Sequence, residues 1–195
     1  MNEKDTGAAA PVRLLDTSTL TGLLLSDLER YFFYNNQANR QPRRRDLWRS
    51  ILIPRLLPLS IYRLSHWLHV REWTGLSKFL LWLNFYLHGL EISARCEIGP
   101  YFFMPHVSGT VIGATKIGAY AVIYHQVTLG AAMVEFADDD RPVVGDQVLI
   151  GSGAKVLGRI TIGDRCRIGA NSVVLKSVPP DSVAVGIPAR TIATK

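Results

Sequence analysis

Residues 143–178 read VVGDQVLIGSGAKVLGRITIGDRCRIGANSVVLKSV, and this stretch decides the fold because its apolar residues recur at a fixed interval of six. A repeat with a constant interval sets the architecture of the whole segment that contains it. The repeated positions are aliphatic throughout: Val144, Ile150, Val156, Ile162, Ile168 and Val174. Glycine follows four of these six residues directly.

An interval of six matches neither the 3.6-residue period of a helix nor the two-residue alternation of a simple strand. It fits a prism in which each short strand forms one side and the next residues turn a corner. The repeated aliphatic side chain then points inward and stacks on its equivalent one coil later. Glycine at the corner avoids the penalty of a Cβ atom. The sequence therefore predicts a β-helical solenoid.

The same interval continues upstream, with one shift of register and one interruption. The positions that keep it are Ile92, Ile98 and Met104, and then Ile117, Ile123 and Leu129. The register slips by one residue near Thr110–Val111, and the repeat is interrupted over about 131–142. We expect an inserted loop at that interruption.

The first half of the chain has helical spacing instead. Cap residues precede an apolar stretch over 17–34, and further helices are predicted over 46–53, 58–70 and 75–88. Gly89 closes the last helix. The predicted organisation is an α+β fold: a disordered leader over 1–14, a helical subdomain over 15–89 and a β-helix domain over 90–195.

The composition narrows the class of protein. The N-terminus lacks the basic and apolar regions of a signal peptide, and the longest apolar run, residues 79–90, is shorter than the ~20 residues that span a bilayer. Cys96 and Cys166 do not form a disulfide framework and are predicted to be buried. We therefore expect a cytoplasmic protein that does not insert into membranes.

The formal charge of +6 is densest in RQPRRRD (40–46). A basic run of this kind can bind nucleic acid or an anionic membrane. It contains no interleaved aromatic residues, and no nucleic-acid-binding motif is present in the chain. We interpret it as a solvated linker between helices and expect no nucleic-acid partner.

Several motifs carry a resemblance to a known family. They are YRLSHWL (62–68), LEISARCEIG (90–99), MPHVSG (104–109) and VTLG (127–130), followed by the repeats over 150–180 and AVGIPAR (184–190). The chain resembles the serine O-acetyltransferase family of the hexapeptide-repeat acyltransferases. The resemblance implies a left-handed parallel β-helix and acetyl transfer from acetyl-CoA to the hydroxyl group of L-serine.

The resemblance assigns the general base to His106. A serine or sugar hydroxyl is too weak an acid to attack a thioester unaided, and a neutral imidazole can accept its proton near pH 7. Glu91 stands fifteen residues earlier, one coil below, where the family has an orienting aspartate. A carboxylate there would fix the imidazole tautomer. His125 is the next candidate, either near the thioester or as a structural neighbour.

The resemblance also implies where the acyl donor binds. Acetyl-CoA in this family lies in a groove between neighbouring prisms, close to small residues at the corners. Ala131, Ser152 and Ala170 match those contacts, although small corner residues also serve the coil itself. Lys176 and Arg190 are candidates for neutralising the phosphates. No metal is expected.

The acceptor pocket departs from the family pattern. Arg141 is retained and would bind the α-carboxylate of an amino acid. Pro105 replaces an aspartate directly before the histidine, and the histidine that follows the arginine in the family is absent. The DDD run (138–140) could bind the α-ammonium group instead. A sugar hydroxyl in surface-polysaccharide biosynthesis would need neither charge and is the alternative acceptor.

Two further classes stay open as alternatives. A metal-dependent, carbonic-anhydrase-like β-helix would need three histidines, but the repeats contain two, His106 and His125. A non-catalytic assembly protein would have kept the fold and lost the chemistry. The resemblance implies a homotrimer or a dimer of trimers. It implies no complex with the next enzyme of cysteine synthesis, because the chain ends at PARTIATK without the longer tail.

Overall fold

The computed structural model of the chain describes residues 15–37, 39–133, 137 and 140–193, so that the leader over 1–14 lies outside the described residues. Helices come first, with a short 3-10 turn at Arg44–Asp46. They are α1 (Leu20–Tyr34), α2 (Leu47–Leu52), α3 (Leu57–Val70) and α4 (Thr74–His88). Each bound lies within three residues of the predicted stretch.

Local chemistry sets the ends of these helices. The Thr19 hydroxyl caps α1 by accepting a hydrogen bond from the amide of Gly22, at 3.1 Å. Pro58 lies in the first turn of α3, where its missing amide hydrogen costs nothing. Gly89 ends α4 with φ of +61°, a left-handed conformation that glycine adopts without steric penalty.

Fourteen short strands follow within the described residues. They are β1 (Leu90–Ile92), β2 (Glu97–Ile98), β3 (Thr110–Ile112), β4 (Lys116–Ile117), β5 (Val122–Ile123), β6 (Thr128–Gly130), β7 (Val143–Val144), β8 (Leu149–Ile150), β9 (Lys155–Leu157), β10 (Thr161–Ile162), β11 (Arg167–Ile168), β12 (Val173–Val174), β13 (Ser182–Gly186) and β14 (Ala189–Ala193). Sheet 1 contains β1, β3, β6, β9 and β12; sheet 2 contains β2, β4, β7 and β10; sheet 3 contains β5, β8, β11, β13 and β14. Neighbours are parallel except β13 and β14, which form an antiparallel hairpin.

The three sheets form the sides of a prism, and columns of stacked side chains fill its interior. The column behind sheet 1 contains Ile92, Ile112, Leu129, Val156 and Val174; that behind sheet 2 contains Ile98, Ile117, Val144, Ile162 and Val178. The column behind sheet 3 contains Met104, Ile123, Ile150, Ile168 and Ala184. All of these residues are buried. The predicted interior positions are therefore the interior of the coil.

The predicted slip of one residue is the net result of two separate changes. Met104 and Ile112 are eight residues apart instead of six, which adds two residues to the corner between sheet 3 and sheet 1. Ile112 and Ile117 are only five apart, which removes one residue from the next corner. The sequence pattern shows only their net effect. The added residues matter because they carry His106.

The glycines of the repeat are needed because neighbouring coils approach closely. A Cβ atom on Gly145 would lie 2.3 Å from Oδ1 of Asp164, and one on Gly151 would lie 2.6 Å from the amide nitrogen of Ala170. Neither glycine has a left-handed backbone. The left-handed residues stand two positions later, at Gln147 and Gly153. The expected penalty of a Cβ atom thus arises between coils rather than within the turn.

A buried ion pair joins the helices to the first coil. Arg63 on α3 donates from Nε and Nη2 to the two carboxylate oxygens of Asp27 on α1, at 2.9 and 3.0 Å. Arg63 also donates to the carbonyls of Ile98 and Gly99, and Asp27 accepts the amide of Phe102 at 3.1 Å. Burial raises the pKa of the Asp27 carboxyl, and the Arg63 charge opposes that rise. This joint fixes α1 and α3 against the wall of the β-helix.

Candidate active site

The border between sheet 3 and sheet 1 carries equivalent residues one coil apart. Amide hydrogen bonds define the equivalence: Gln126 donates to the carbonyl of Ser108 at 3.1 Å, Gly153 to that of His125 at 3.0 Å, and Asn171 to that of Ser152 at 2.8 Å. In each bond, the residue before the donor is the equivalent of the acceptor on the next coil. Four equivalent residues on successive coils therefore form one row: Ser108, His125, Ser152 and Ala170. Neighbouring strands lie ~4.8 Å apart, so the row extends over about 14 Å.

His106 stands at one end of this row, on the corner with two added residues. Its side chain is exposed, so an acceptor molecule can reach the imidazole from solvent. The ring lies 5.6 Å from the ring of His125, centroid to centroid, and the two planes are nearly perpendicular, at 87°. The structure thus brings together the predicted base and the second candidate histidine.

His125 occupies the regular corner position and is half-buried. Its Nδ1 atom is sealed from solvent and has no hydrogen-bond partner among the described residues. A proton on this atom would be an unpaired buried donor, which is costly. The proton of the neutral ring therefore belongs on Nε2, which remains available as a hydrogen-bond donor. The register of the repeat is the sequence signal that places His125 in one row with Ser152 and Ala170.

Glu91 lies on β1, one coil before the His106 corner, and points outward. Its Cα atom pairs with that of Val111 on β3, and its side chain is exposed. Within the described part of the chain it makes no hydrogen bond or ion pair with His106. The structure therefore places the carboxylate on the adjacent coil without bringing it into contact with the imidazole.

The opposite border of sheet 1, facing sheet 2, carries three other predicted residues. Ala131 follows β6 directly, Arg141 ends the loop before β7, and Lys176 follows β12. Ala131 and Arg141 are half-buried and Lys176 is exposed. Of the DDD run, Asp138 and Asp139 lie outside the described residues.

The Arg141 charge reaches the first coil. Burial raises the pKa of the Cys96 thiol to about 12, and the positive charges of Arg63 and Arg141 oppose that rise. Cys96 and Cys166 are both buried and free. Arg141 therefore lies near the coil that precedes the His106 corner, but on the other border of sheet 1.

The remaining predicted donor contact, Arg190, is exposed on β14 at the far end of sheet 3. The predicted residues thus fall into two groups on one prism. His106, His125, Ser152 and Ala170 lie on the sheet 3–sheet 1 border, while Ala131, Arg141 and Lys176 lie on the sheet 1–sheet 2 border.

Among the described residues, no group of three histidine, cysteine, aspartate or glutamate side chains is arranged to hold a metal ion.

Comparison with known proteins gives matches at the level of family and structure. Residues 141–176 match the family model of the bacterial transferase hexapeptide (six repeats). A serine acetyltransferase of Helicobacter pylori is 43% identical over 153 residues, which cover 77% of this chain and 89% of the relative.

Solved structures match over most of the chain. The crystal structure of Neisseria gonorrhoeae serine acetyltransferase covers 90% of this chain with a TM-score of 0.78 and 28% identity, and this chain spans 66% of its length. A serine acetyltransferase in complex with CoA covers 90% with a TM-score of 0.77, 28% identity and 70% of its own length. The predicted α+β fold, helices followed by a left-handed parallel β-helix, is confirmed by these matches.

Proposed function

We infer, since this chain belongs to the serine acetyltransferase family, that it transfers an acetyl group from acetyl-CoA to the hydroxyl of L-serine and releases O-acetyl-L-serine and CoA. The observation that carries this inference is the exposed imidazole of His106, held at one end of a row that continues through Ser152 and Ala170. An exposed base can accept the proton of a hydroxyl group, and small side chains beside it leave room for a long thioester such as acetyl-CoA.

The proposed chemistry begins at His106. Its neutral imidazole removes the proton of the acceptor hydroxyl as the oxygen attacks the thioester carbonyl. The carbonyl electrons move onto oxygen, and His125 is placed to donate a hydrogen bond from Nε2 to that developing charge. Collapse of the tetrahedral intermediate expels the CoA thiolate. The thiolate then takes the proton from the His106 imidazolium, so the enzyme returns to its starting state.

We assign Glu91 the role of the orienting carboxylate. It lies one coil from the base, and its side chain is exposed and free to change rotamer. A hydrogen bond from the imidazole to this carboxylate would hold the tautomer that leaves the other ring nitrogen unprotonated. Because that contact is absent from the structure described above, it forms in this proposal when substrate binds.

Acetyl-CoA is proposed to lie along the row on the sheet 3–sheet 1 border. Ser152 and Ala170 have side chains small enough for a pantetheine arm to approach the backbone. The two strand spacings from His125 to Ala170, about 10 Å, suit an extended arm that ends at His125. Ala131 would line the groove from the opposite border, and Lys176 and Arg190 would neutralise phosphate groups. A relative has been solved in complex with CoA.

Arg141 is proposed to bind the α-carboxylate of serine through its planar guanidinium group. The Neisseria gonorrhoeae relative has been solved in complex with serine. Pro105 favours the second candidate, a sugar hydroxyl, because it removes the acidic neighbour of His106 that an α-ammonium group would pair with. The two acceptors share the donor, the base and every proton transfer.

We further propose a homotrimer as the smallest active assembly, or a dimer of trimers. Residues for the donor and the acceptor lie on two borders of the same prism, so a neighbouring prism can complete each groove. No complex with the next enzyme of cysteine synthesis is proposed. The two free cysteines, Cys96 and Cys166, suit a reducing cytoplasmic compartment.

Thiol release from acetyl-CoA tests the acceptor directly. The purified protein is assayed with L-serine, L-homoserine and a panel of sugars, and a reaction without protein serves as the control for uncatalysed hydrolysis. We expect turnover with L-serine. Release with a sugar and none with L-serine would keep the mechanism and replace the acceptor. A rate equal to that of the protein-free reaction with every acceptor would overturn the proposed function.

A further inference from the structure

The hairpin of α3 and α4 has polar groups along its contact seam. The Ser65 hydroxyl donates to the carbonyl of Ser77 at 3.0 Å, and the two hydroxyl oxygens lie 2.9 Å apart. Asn84 donates from Nδ2 to the carbonyl of Pro58 at 3.0 Å. All three of these side chains are buried. Small and amide-bearing residues at a helix seam are typical of helices whose outer surface meets an apolar medium.

The outer surface of α4 is apolar. We call Trp73, Leu76, Phe79, Trp82 and Tyr86 the α4 apolar face; the exposed fractions of Phe79, Trp82 and Tyr86 are 54%, 54% and 67%. Neighbouring rings pack on each other, with centroids 6.0 Å apart for Phe79 and Trp82 and 4.6 Å for Trp82 and Tyr86. Helices of water-soluble proteins turn such a stripe toward the core. A contiguous exposed stripe therefore indicates a binding partner.

The positive charge of the chain is concentrated in the same part of the sequence. Residues 40–88 contain nine arginine and lysine residues but only two acidic ones. Arg63 is buried in its ion pair with Asp27, which leaves eight basic residues against two acidic ones. On the hairpin itself, Arg71 follows α3 and Lys78 lies on α4, and both are exposed. Arg71 stacks over the ring of Trp67 at 3.9 Å from its centroid. The acidic residue of this hairpin is Glu72.

We propose that the α4 apolar face binds the surface of an anionic lipid bilayer, with the helix lying in the plane of the headgroups. Tryptophan and tyrosine favour this interfacial depth, and arginine and lysine beside them attract anionic lipids. A second copy of the chain would fit the apolar side chains equally well. It would also bring two strongly positive segments together, whereas an anionic bilayer neutralises them. Charge therefore favours the bilayer.

The helix is too short to cross the membrane. Its fifteen residues extend over about 22 Å, less than the ~30 Å of a hydrocarbon core. Among the described residues, no helix combines the length and the apolar content needed to span a bilayer. The proposal is therefore adsorption to one surface. It gives the basic run at 40–46 a role in attraction to anionic lipids, beyond that of the solvated linker expected from the sequence.

Flotation of the full-length protein with lipid vesicles tests this proposal without any assay of acetyl transfer. Vesicles of phosphatidylcholine mixed with phosphatidylglycerol are compared with phosphatidylcholine alone. We expect the protein to float with the anionic vesicles and to be released in part by high salt, which screens the attraction. F79Q/W82Q should bind at least about tenfold more weakly because it removes two buried rings from the interface. I192Q, which changes an exposed apolar residue on β14, should bind like the natural sequence.

A second variant separates charge from folding defects. R71E/K78E keeps the apolar face and reverses two charges, and it should lose binding to anionic vesicles while sedimenting at the natural mass. Failure of the natural sequence to float with anionic vesicles would overturn the proposal, as would equal binding by F79Q/W82Q. A third outcome would also overturn it: the natural sequence binds no vesicles, and F79Q/W82Q sediments as a smaller assembly. The α4 apolar face would then join two copies of the chain.

Discussion

His106 stands on a corner that is two residues longer than the regular repeat, and this length decides what the side chain can do. At the regular corner one coil later, His125 is half-buried with one nitrogen sealed. The added residues carry His106 outward, so its imidazole is exposed to solvent and to an incoming hydroxyl group. Proton transfer requires the base within hydrogen-bond reach of the hydroxyl. The corner thus separates the exposed histidine that we propose as the base from one that is held by the coil.

Replacing His106 with alanine should lower kcat by about 10²–10⁴ through loss of general-base catalysis. The assembly and the far-ultraviolet circular dichroism should stay unchanged, since the side chain is exposed and makes no contact that the coil needs. Thiol release under saturating acetyl-CoA measures the effect. H69A is the control, because His69 lies on α3 and is not among the proposed site residues, and it should retain the natural kcat. An unchanged kcat in H106A would remove His106 from the mechanism.

Among the structural elements, the joint between α1, α3 and the first coil depends on one buried ion pair. Asp27 and Arg63 are both almost completely buried, and together they satisfy an amide and two carbonyls of the first coil. Removing one partner leaves an uncompensated buried charge, whereas replacing both removes the charge altogether. The pair therefore fixes the position of the helices more than it adds stability.

Mutations of Asp27 and Arg63 should therefore be non-additive in their effect on stability. D27L and R63M should each lower the free energy of unfolding by about 3–5 kcal/mol, and D27L/R63M should cost less than the sum of the two single changes. Urea denaturation measures all of them at one fixed protein concentration, because the stability of the proposed trimer would depend on concentration. Additive losses would contradict the argument and would assign each side chain an independent packing role.

The corner glycines predict a second effect on stability. G151A would force a Cβ atom to within 2.6 Å of the amide nitrogen of Ala170, so the coils must separate and the protein should unfold at lower urea concentration. G75A is the matched control: its Cβ would meet nothing within 4 Å, and alanine in a helix is favoured over glycine by roughly 0.5–1 kcal/mol. G151A should therefore destabilise while G75A stabilises. Equal midpoints would mean that the coils tolerate a wider spacing.

The interior of the prism could be predicted from the sequence, and the positions of its outward side chains could not. An interval of six reports only which side chains point inward, so Ile150 and its equivalents were identified correctly. The position of an outward residue depends on the length of each corner, and the added and removed residues around Ile112 nearly cancel in the pattern. A spacing of fifteen residues therefore predicts that Glu91 lies one coil from His106, but not that their side chains stay out of contact. The exposure of the α4 apolar face could not be predicted either, because helical periodicity does not say which face of a helix is outside.

The distribution of the site over two borders of sheet 1 predicts shared active sites. His106 lies on one border and Arg141 on the other, so in a trimer the base of one prism can face the arginine of its neighbour. H106A and R141A should each lose serine acetylation as homotrimers. The two variants are co-expressed with different tags and purified as mixed trimers. A site is then complete when an R141A chain supplies its His106 and an H106A chain supplies its Arg141. Random assembly then restores roughly a quarter of the sites.

Thiol release with L-serine measures this recovery, and the two separately purified homotrimers, mixed after folding, are the control that should stay inactive. Activity in the mixed trimers cannot arise from either variant alone, because every chain lacks one of the two groups. If His106 and Arg141 of the same chain formed the site across the face of sheet 1, no combination of these variants would contain an intact site. Mixed trimers as inactive as their parents would therefore place the complete acceptor site within a single chain.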